Sequence, residues 1–252
     1  MKLQYASDLH LEFPENKEFL KRNPLLPGGD ILILAGDIVP FAVMDKHAEF
    51  FNYISDTFET TYWIPGNHEY YYSDISERSG SFNETIRSNV FLINNTSVIL
   101  SNVKLIFSTL WSEIGTSNKW IIQQRISDFQ VINHKNIRFS PDYFNELHHE
   151  SHKFLKGEIE MASPGKIVVT THHVPVLLNY PEQYKSDVLN EAFAVDLHDL
   201  INDNKIDYWI YGHHHVNVEE FSIGKTKMLT NQLGYVRYDE NKYFTNNKII
   251  NI

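Results

Sequence analysis

Five short apolar runs in this 252-residue chain each end at side chains able to bind a metal ion, and no other feature of the sequence limits its possible folds as tightly. The run at 2–6 leads into Ser7-Asp8-Leu9-His10, and the run at 31–35 into Gly36-Asp37. The run at 61–64 leads into Pro65-Gly66-Asn67-His68-Glu69. The run at 167–171 reaches His172-His173, and the run at 208–211 reaches Gly212-His213-His214-His215. Further β-rich runs lie at 90–93, 104–109 and 227–230. Runs such as Ile31-Leu32-Ile33-Leu34 do not alternate with polar residues, which suits strands covered on both faces. Helical patterns lie between them. One covers 48–58 and another 192–201. The longest starts with Ser140 as N-cap and Pro141 at the first helical position, keeps its apolar period through Ile159, and ends at Ser163-Pro164-Gly165. Strands alternating with helices predict an α/β architecture. Open α/β sheets bind ligands at the carboxyl ends of their strands, which is where these polar residues fall.

The residue types narrow the chemistry. The chain has no cysteine, so disulfides and thiolate metal sites are excluded. Thirteen histidines are present, and seven of them (His10, His68, His172, His173, His213, His214, His215) fall in these segments. Nitrogen and oxygen ligands without sulfur suit divalent manganese, iron, zinc or similar ions. Alternate residues of an extended segment point the same way, so Asp8 and His10 are expected to face one ion together, and His213 and His215 likewise. Glycines before Asp37, Asn67 and His213 permit tight turns there. The net charge of −10, with no lysine or arginine cluster, disfavours long nucleic acid as a partner. No apolar run is long enough to span a bilayer, and the N-terminus shows no apolar signal region, so a cytoplasmic protein without membrane partners is expected.

The ordered blocks Asp8/His10, Gly36-Asp37, Gly66-Asn67-His68-Glu69, His172 and Gly212-His213-His214-His215 resemble the signature of the calcineurin-like metallophosphoesterases. The resemblance spans about residues 5–215. Asn231-Gln232-Leu233-Gly234-Tyr235 extends it toward a bacterial branch of predicted phosphohydrolases. It implies a four-layer α/β/β/α sandwich of two mixed β-sheets flanked by helices. It also implies two divalent metal ions, manganese foremost, with iron, zinc or nickel as alternatives. Asp8, His10 and His215 would hold the first ion, Asn67, His172 and His213 the second, and Asp37 would bridge them. A hydroxide between the ions would attack phosphorus, and His68 would assist the leaving group. The catalytic pair is thus His68 and Asp37. The substrate would be a small phosphomonoester or phosphodiester. A nucleotide phosphodiesterase or nuclease is the alternative, and a non-catalytic scaffold of the same fold a remote one. Gly36-Asp37-Ile38-Val39-Pro40-Phe41 lacks the arginine that protein phosphatases of the superfamily carry, which argues against a protein substrate. The chain reads as one domain over 1–252, with a specificity insertion around 112–160; oligomeric state is left open. His148, His149 and His152 read as a solvated helix face, and His214 as solvated or supporting.

Overall fold

The computed structural model describes residues 1–161 and 165–252. Its strands, in chain order, are β1 (Lys2–Ala6), β2 (Ile31–Ala35), β3 (Thr60–Ile64), β4 (Phe82–Arg87), β5 (Val90–Asn94), β6 (Thr96–Leu100) and β7 (Val103–Ser108). They continue with β8 (Asn133–His134), β9 (Ile137–Arg138), β10 (Lys166–Thr171), β11 (Tyr208–Ile210), β12 (Phe221–Ile223), β13 (Thr226–Leu229) and β14 (Ile249–Asn251). The α-helices are α1 (Pro14–Arg22), α2 (Ala48–Thr57), α3 (Lys119–Arg125), α4 (Asp128–Val131), α5 (Pro141–Glu160) and α6 (His198–Asn202).

Two six-stranded mixed sheets form the centre, in the orders β14-β1-β2-β3-β5-β4 and β12-β13-β11-β10-β7-β6. In each, parallel strands occupy the middle, and both outermost strands pair antiparallel. The pleat sends successive side chains to opposite faces. On β2, Ile31, Ile33 and Ala35 therefore enter the cluster between the sheets, beside Leu105, Phe107, Val168 and Ile210. Leu32 and Leu34 enter the outer cluster with Phe51 and Ile54 of α2 and Leu20 of α1. The second sheet behaves alike: Ile167 and Val169 of β10 pack outward with Leu155 and Ile159 of α5 and Ile201 of α6. Both faces of each sheet are covered, which explains why these strands carry unbroken apolar runs. The result is the four-layer α/β/β/α sandwich expected from the sequence.

Helix α5 begins as predicted. Ser140 accepts the Tyr143 N–H at 3.3 Å and Pro141 occupies the first turn. Its predicted end at Ser163-Pro164 lies outside the described residues. The predicted helix over 192–201 is corrected. Only His198–Asn202 is α-helical, while Ala194 forms an isolated bridge with Val174. The Phe193 carbonyl accepts the Val174 N–H and the Val195 N–H donates to Val174, so this backbone is committed to an extended partner. That pairing aims the Phe193 ring at His213, 4.6 Å away and stacked. The solvated reading of the α5 histidines also needs correction at His148, which is buried with Nδ1 2.9 Å from the Trp111 carbonyl. Among the described residues, no helix is long and apolar enough to cross a membrane.

Candidate metal centre

The parallel strands β1, β2, β3, β10 and β11 deliver all seven predicted ligand residues to one place. Asp8, His10, Asp37 and His215 each offer an atom to one group, and Asp37, His172 and His213 to a second. Asp37 belongs to both. Its Oδ2 lies 3.8 Å from His10 Nε2 and its Oδ1 lies 3.4 Å from His172 Nε2. The Asn67 carbonyl oxygen joins the second group, 3.3 Å from His172 Nε2. His215 Nε2 sits 2.9 Å from His10 Nε2 and 3.5 Å from Asp8 Oδ1.

The chain reaches this arrangement through left-handed turns and not through extended strand ends. Asp8, His10, Asp37, His213 and His215 all have positive φ, between 47° and 81°. Such backbone costs roughly 1–2 kcal/mol per non-glycine residue and concentrates where function requires it. It also overturns the alternation argument for the last block. His213 and His215 do not face one point; they separate into the two groups. Close approach of these turns needs glycine at two positions. A methyl group at Gly36, whose φ is +90°, would enter the His172 ring, and one at Gly66 would collide with Asp37 Oδ1.

Outer partners decide which ring nitrogen faces the centre. His10 Nδ1 meets Glu12 at 3.2 Å, His215 Nδ1 meets Glu240 at 2.7 Å, and His172 Nδ1 meets the Ala35 carbonyl at 2.9 Å. His213 Nε2 faces the Ala192 carbonyl at 3.4 Å. Each of these partners is an acceptor, so the outer nitrogen carries the hydrogen and the inner nitrogen presents its lone pair. Asn67 is fixed in the same way: its amide nitrogen donates to Asp128 Oδ1 at 2.8 Å, leaving its oxygen inward. Two sets of four convergent acceptors result, joined through Asp37. Acceptors this close repel unless positive charge lies among them. Two hard or borderline divalent cations fit that donor set.

Without metal, protons supply the positive charge. Burial lowers the His172 pKa, but the Asp37 carboxylate outweighs it and lifts the ring to about 9. Burial raises Asp37, yet the charges of His172 and His68 bring it well below the usual carboxylate range. A ring with a pKa near 9 is protonated at neutral pH, and ligation requires its lone pair. Manganese binding at pH 7 should therefore release about one proton or more, and affinity should rise with pH toward 9. Calorimetry in buffers of different ionisation enthalpy would show this as a buffer-dependent heat. Buffer-independent heat and pH-independent affinity would contradict it.

His68 stands beside the centre without joining either acceptor group. Its Nδ1 lies 3.1 Å from Glu12 Oε1, and its Nε2 lies 3.3 Å from the Tyr235 hydroxyl. Its ring stacks on Tyr71 at 4.0 Å. Burial disfavours the charged ring, but Asp37 and Glu12 overcome this and raise it to about 9. Glu12 is held low, at about 2: burial opposes its charge, and hydrogen bonds from His10 and His68 outweigh the burial.

The Glu69 carboxylate locks the loops together. It accepts N–H groups from Asp37, Ile38, Val39 and Gly66, and the Trp63 indole N–H. Burial and then the Asp37 charge push its pKa up, while these donors favour the anion and leave no acceptor for a carboxyl proton. Glu69→Gln must aim an NH₂ at two or more of these donors. It should lower unfolding stability by about 3 kcal/mol or more in urea titration, because buried donors lose their acceptor. A loss under about 1 kcal/mol would show that the loops hold without the carboxylate.

Sequence reasoning missed Glu12 and Glu240 as partners of the site; Asp128 reads from the sequence only as a candidate for the cleft rim, and Tyr235 only as the end of the Asn231–Tyr235 block. Glu12 stands two residues after His10, a spacing that offered a signal. The other three come from distant segments. His214 is buried as a support, with Nδ1 3.0 Å from the Gln232 amide nitrogen. His173 is buried beside His213, with ring centroids 4.2 Å apart, and joins neither acceptor group.

The fold and this cluster define a metal-dependent phosphoesterase. The chain belongs to the calcineurin-like phosphoesterase family, which matches residues 1–217. An uncharacterized protein, L509, of Acanthamoeba polyphaga mimivirus is 34% identical over 263 residues, covering 92% of this chain and 91% of that one. Among solved structures, the phosphopantetheinyl hydrolase PptH from Mycobacterium tuberculosis superimposes with a TM-score of 0.69 at 14% identity. That match covers 99% of this chain and 95% of that one, and it shows a shared fold. A dimetal phosphatase from Danio rerio matches at a TM-score of 0.46 and 12% identity, over 92% of this chain and 87% of that one.

Proposed function

We propose that this chain hydrolyses small phosphate esters at a pair of divalent cations. Asp8, His10, Asp37 and His215 would hold one cation, and Asp37, Asn67, His172 and His213 the other. Bound there, such a pair supplies Lewis acidity toward the phosphoryl group and toward water, and neutralises charge that develops on oxygen. The observation that carries the reading is the double use of Asp37, one oxygen facing each acceptor group.

The chain's own residues set the remaining chemistry. His68 is the acid. Glu12 fixes its Nδ1, which leaves Nε2, beside the Tyr235 hydroxyl, to deliver a proton to the departing oxygen. The stacked Tyr71 ring holds the imidazole plane, and Asp128 anchors that tyrosine through its hydroxyl at 2.9 Å. Substrate would lie in a cleft of about 340 Å³ whose floor includes Asp37, Asn67, His68, His213 and His215. The segment around 112–160 contributes Arg125, Ile126, Ser127 and Asp128 to its wall. We assign substrate selection to that insertion within one domain spanning 1–252, and manganese as the working ion in a cytoplasmic protein.

The test is hydrolysis of a panel by manganese-loaded protein: p-nitrophenyl phosphate, bis-p-nitrophenyl phosphate, nucleoside monophosphates, a cyclic nucleotide and single-stranded DNA. Turnover of small mono- or diesters with none of DNA supports the reading. A metal-loaded protein inert toward every ester would point to the scaffold alternative.

A further inference from the structure

Among the described residues that line the cleft, Arg125 carries the one guanidinium and the one lasting positive charge outside the histidines of the floor. It lies in the last turn of α3 and is solvent-exposed. The acidic side chains of the same cleft are already engaged. Asp128 accepts from Asn67 and Tyr71, Glu240 pairs with His215 and accepts the Tyr235 N–H, and Asp187 accepts the Leu189 N–H at 2.9 Å. Among the described residues, no carboxylate lies within ion-pair distance of Arg125, and no acceptor is hydrogen-bonded to it. A chain of net charge −10 thus presents its single cleft guanidinium without a partner. Aromatic side chains (Tyr71, Tyr184, Phe193 and Tyr235) line the space it shares with the acceptor groups.

Guanidinium is a planar fork of donors suited to carboxylate and phosphate, and it is never neutral at working pH. The floor of the cleft already accounts for the scissile phosphoryl group. Arg125 lies on the exposed last turn of α3, whereas the buried Asp128 contacts Asn67 and the half-buried Tyr71 stacks on His68; Arg125 forms no ion pair with Asp128. The floor groups and Arg125 line one and the same cleft, of about 340 Å³.

We infer that the preferred substrate is a phosphate ester bearing a second anionic group, a carboxylate or a second phosphate, which Arg125 reads at the cleft wall. This rests on the hydrolase reading above and sharpens it to a substrate class. The second anion takes no part in bond breaking. It fixes the orientation of the organic portion, so its contribution is to KM and binding, with kcat little changed.

The test compares wild type, Arg125→Ala and Arg125→Lys, each loaded with manganese. The carboxylate arm sets 3-phosphoglycerate against glycerol 3-phosphate. The second-phosphate arm sets adenosine 3′,5′-bisphosphate against adenosine 5′-monophosphate. The common control is p-nitrophenyl phosphate. Binding is read by calorimetry on all five compounds, and steady-state kinetics on those that turn over. For at least one arm, Arg125→Ala should weaken binding of the doubly anionic member by about tenfold or more, the loss expected for a hydrogen bond to a charged group. Its singly anionic counterpart and the control should change by less than about twofold, and Arg125→Lys should recover part of the loss. The arm that responds identifies the second anion. Equal weakening of all five compounds would place Arg125 on the scissile phosphate and overturn the inference. So would an unchanged pattern in both arms, or a wild type that binds no doubly anionic member better than its counterpart. Normal binding selectivity with no turnover of any ester would instead count against the hydrolase reading alone.

Discussion

Asp37→Ala is expected to abolish hydrolysis and to drop bound manganese from about two ions per chain to less than one. Among the described residues, no other side chain serves both acceptor groups. Its two oxygens face His10 and His172, and it is fully buried between them. Alanine would remove one ligand from each set of four and the only charge the sets share. It would also leave His10, His172, His213 and His215 converging with less negative charge to offset a bound cation. Asp37→Asn is the sharper variant, because it keeps shape and loses charge. It should weaken both ions and lower activity by about 10³-fold or more, consistent with losing a charged group whose partners stay buried. Metal content by atomic emission, read beside activity, separates the outcomes. A variant that keeps both ions would remove Asp37 from the bridging role.

His68→Ala should behave differently. It contributes no atom to either acceptor group, so both ions should stay bound while kcat falls about 10²–10⁴-fold, the range for a lost general acid. The deficit should depend on the leaving group. It should be small for p-nitrophenyl phosphate, whose phenolate departs without help, and large for an alkyl phosphate. An acid works only while protonated, so wild-type kcat for an alkyl ester should decline as pH rises through the His68 pKa. The lift to about 9 depends on Asp37, whose charge bound cations would offset, so the decline should begin below that value. The variant should lack this alkaline limb. Equal deficits for aryl and alkyl esters would rule out proton donation by His68.

The strands that carry the site were legible because the two central sheets are covered on both faces. Ile31-Leu32-Ile33-Leu34 can stay apolar throughout only when one face meets the other sheet and the other meets α1 and α2. Edge strands were harder to read. The β4 strand, Phe82–Arg87, is partly exposed along its length and carries charge at Glu84 and Arg87, so it offers no buried run. The stretch around 192–201 has a helix-like composition, yet pairing of its Ala194 segment with Val174 keeps it out of α-helix until His198. Tertiary context decided there, as it does wherever local propensity is weak. Within the site, residue types at strand ends were readable and their directions were not. A two-residue period describes strands, whereas these blocks lie in left-handed turns: Asp8 and His10 still share one group, but His213 and His215 separate into two. The supporting groups Asp128 and Glu240 reach the centre from segments that share no motif with it, and Tyr235 from the separate Asn231–Tyr235 block.

The proposed hydrolysis depends on two cations sharing one aspartate. Anomalous diffraction from crystals soaked in manganese tests that directly. Two peaks are predicted, one among Asp8, His10 and His215, the other among Asn67, His172 and His213, with an oxygen of Asp37 adjacent to each. A single peak, or peaks remote from Asp37, would contradict the account.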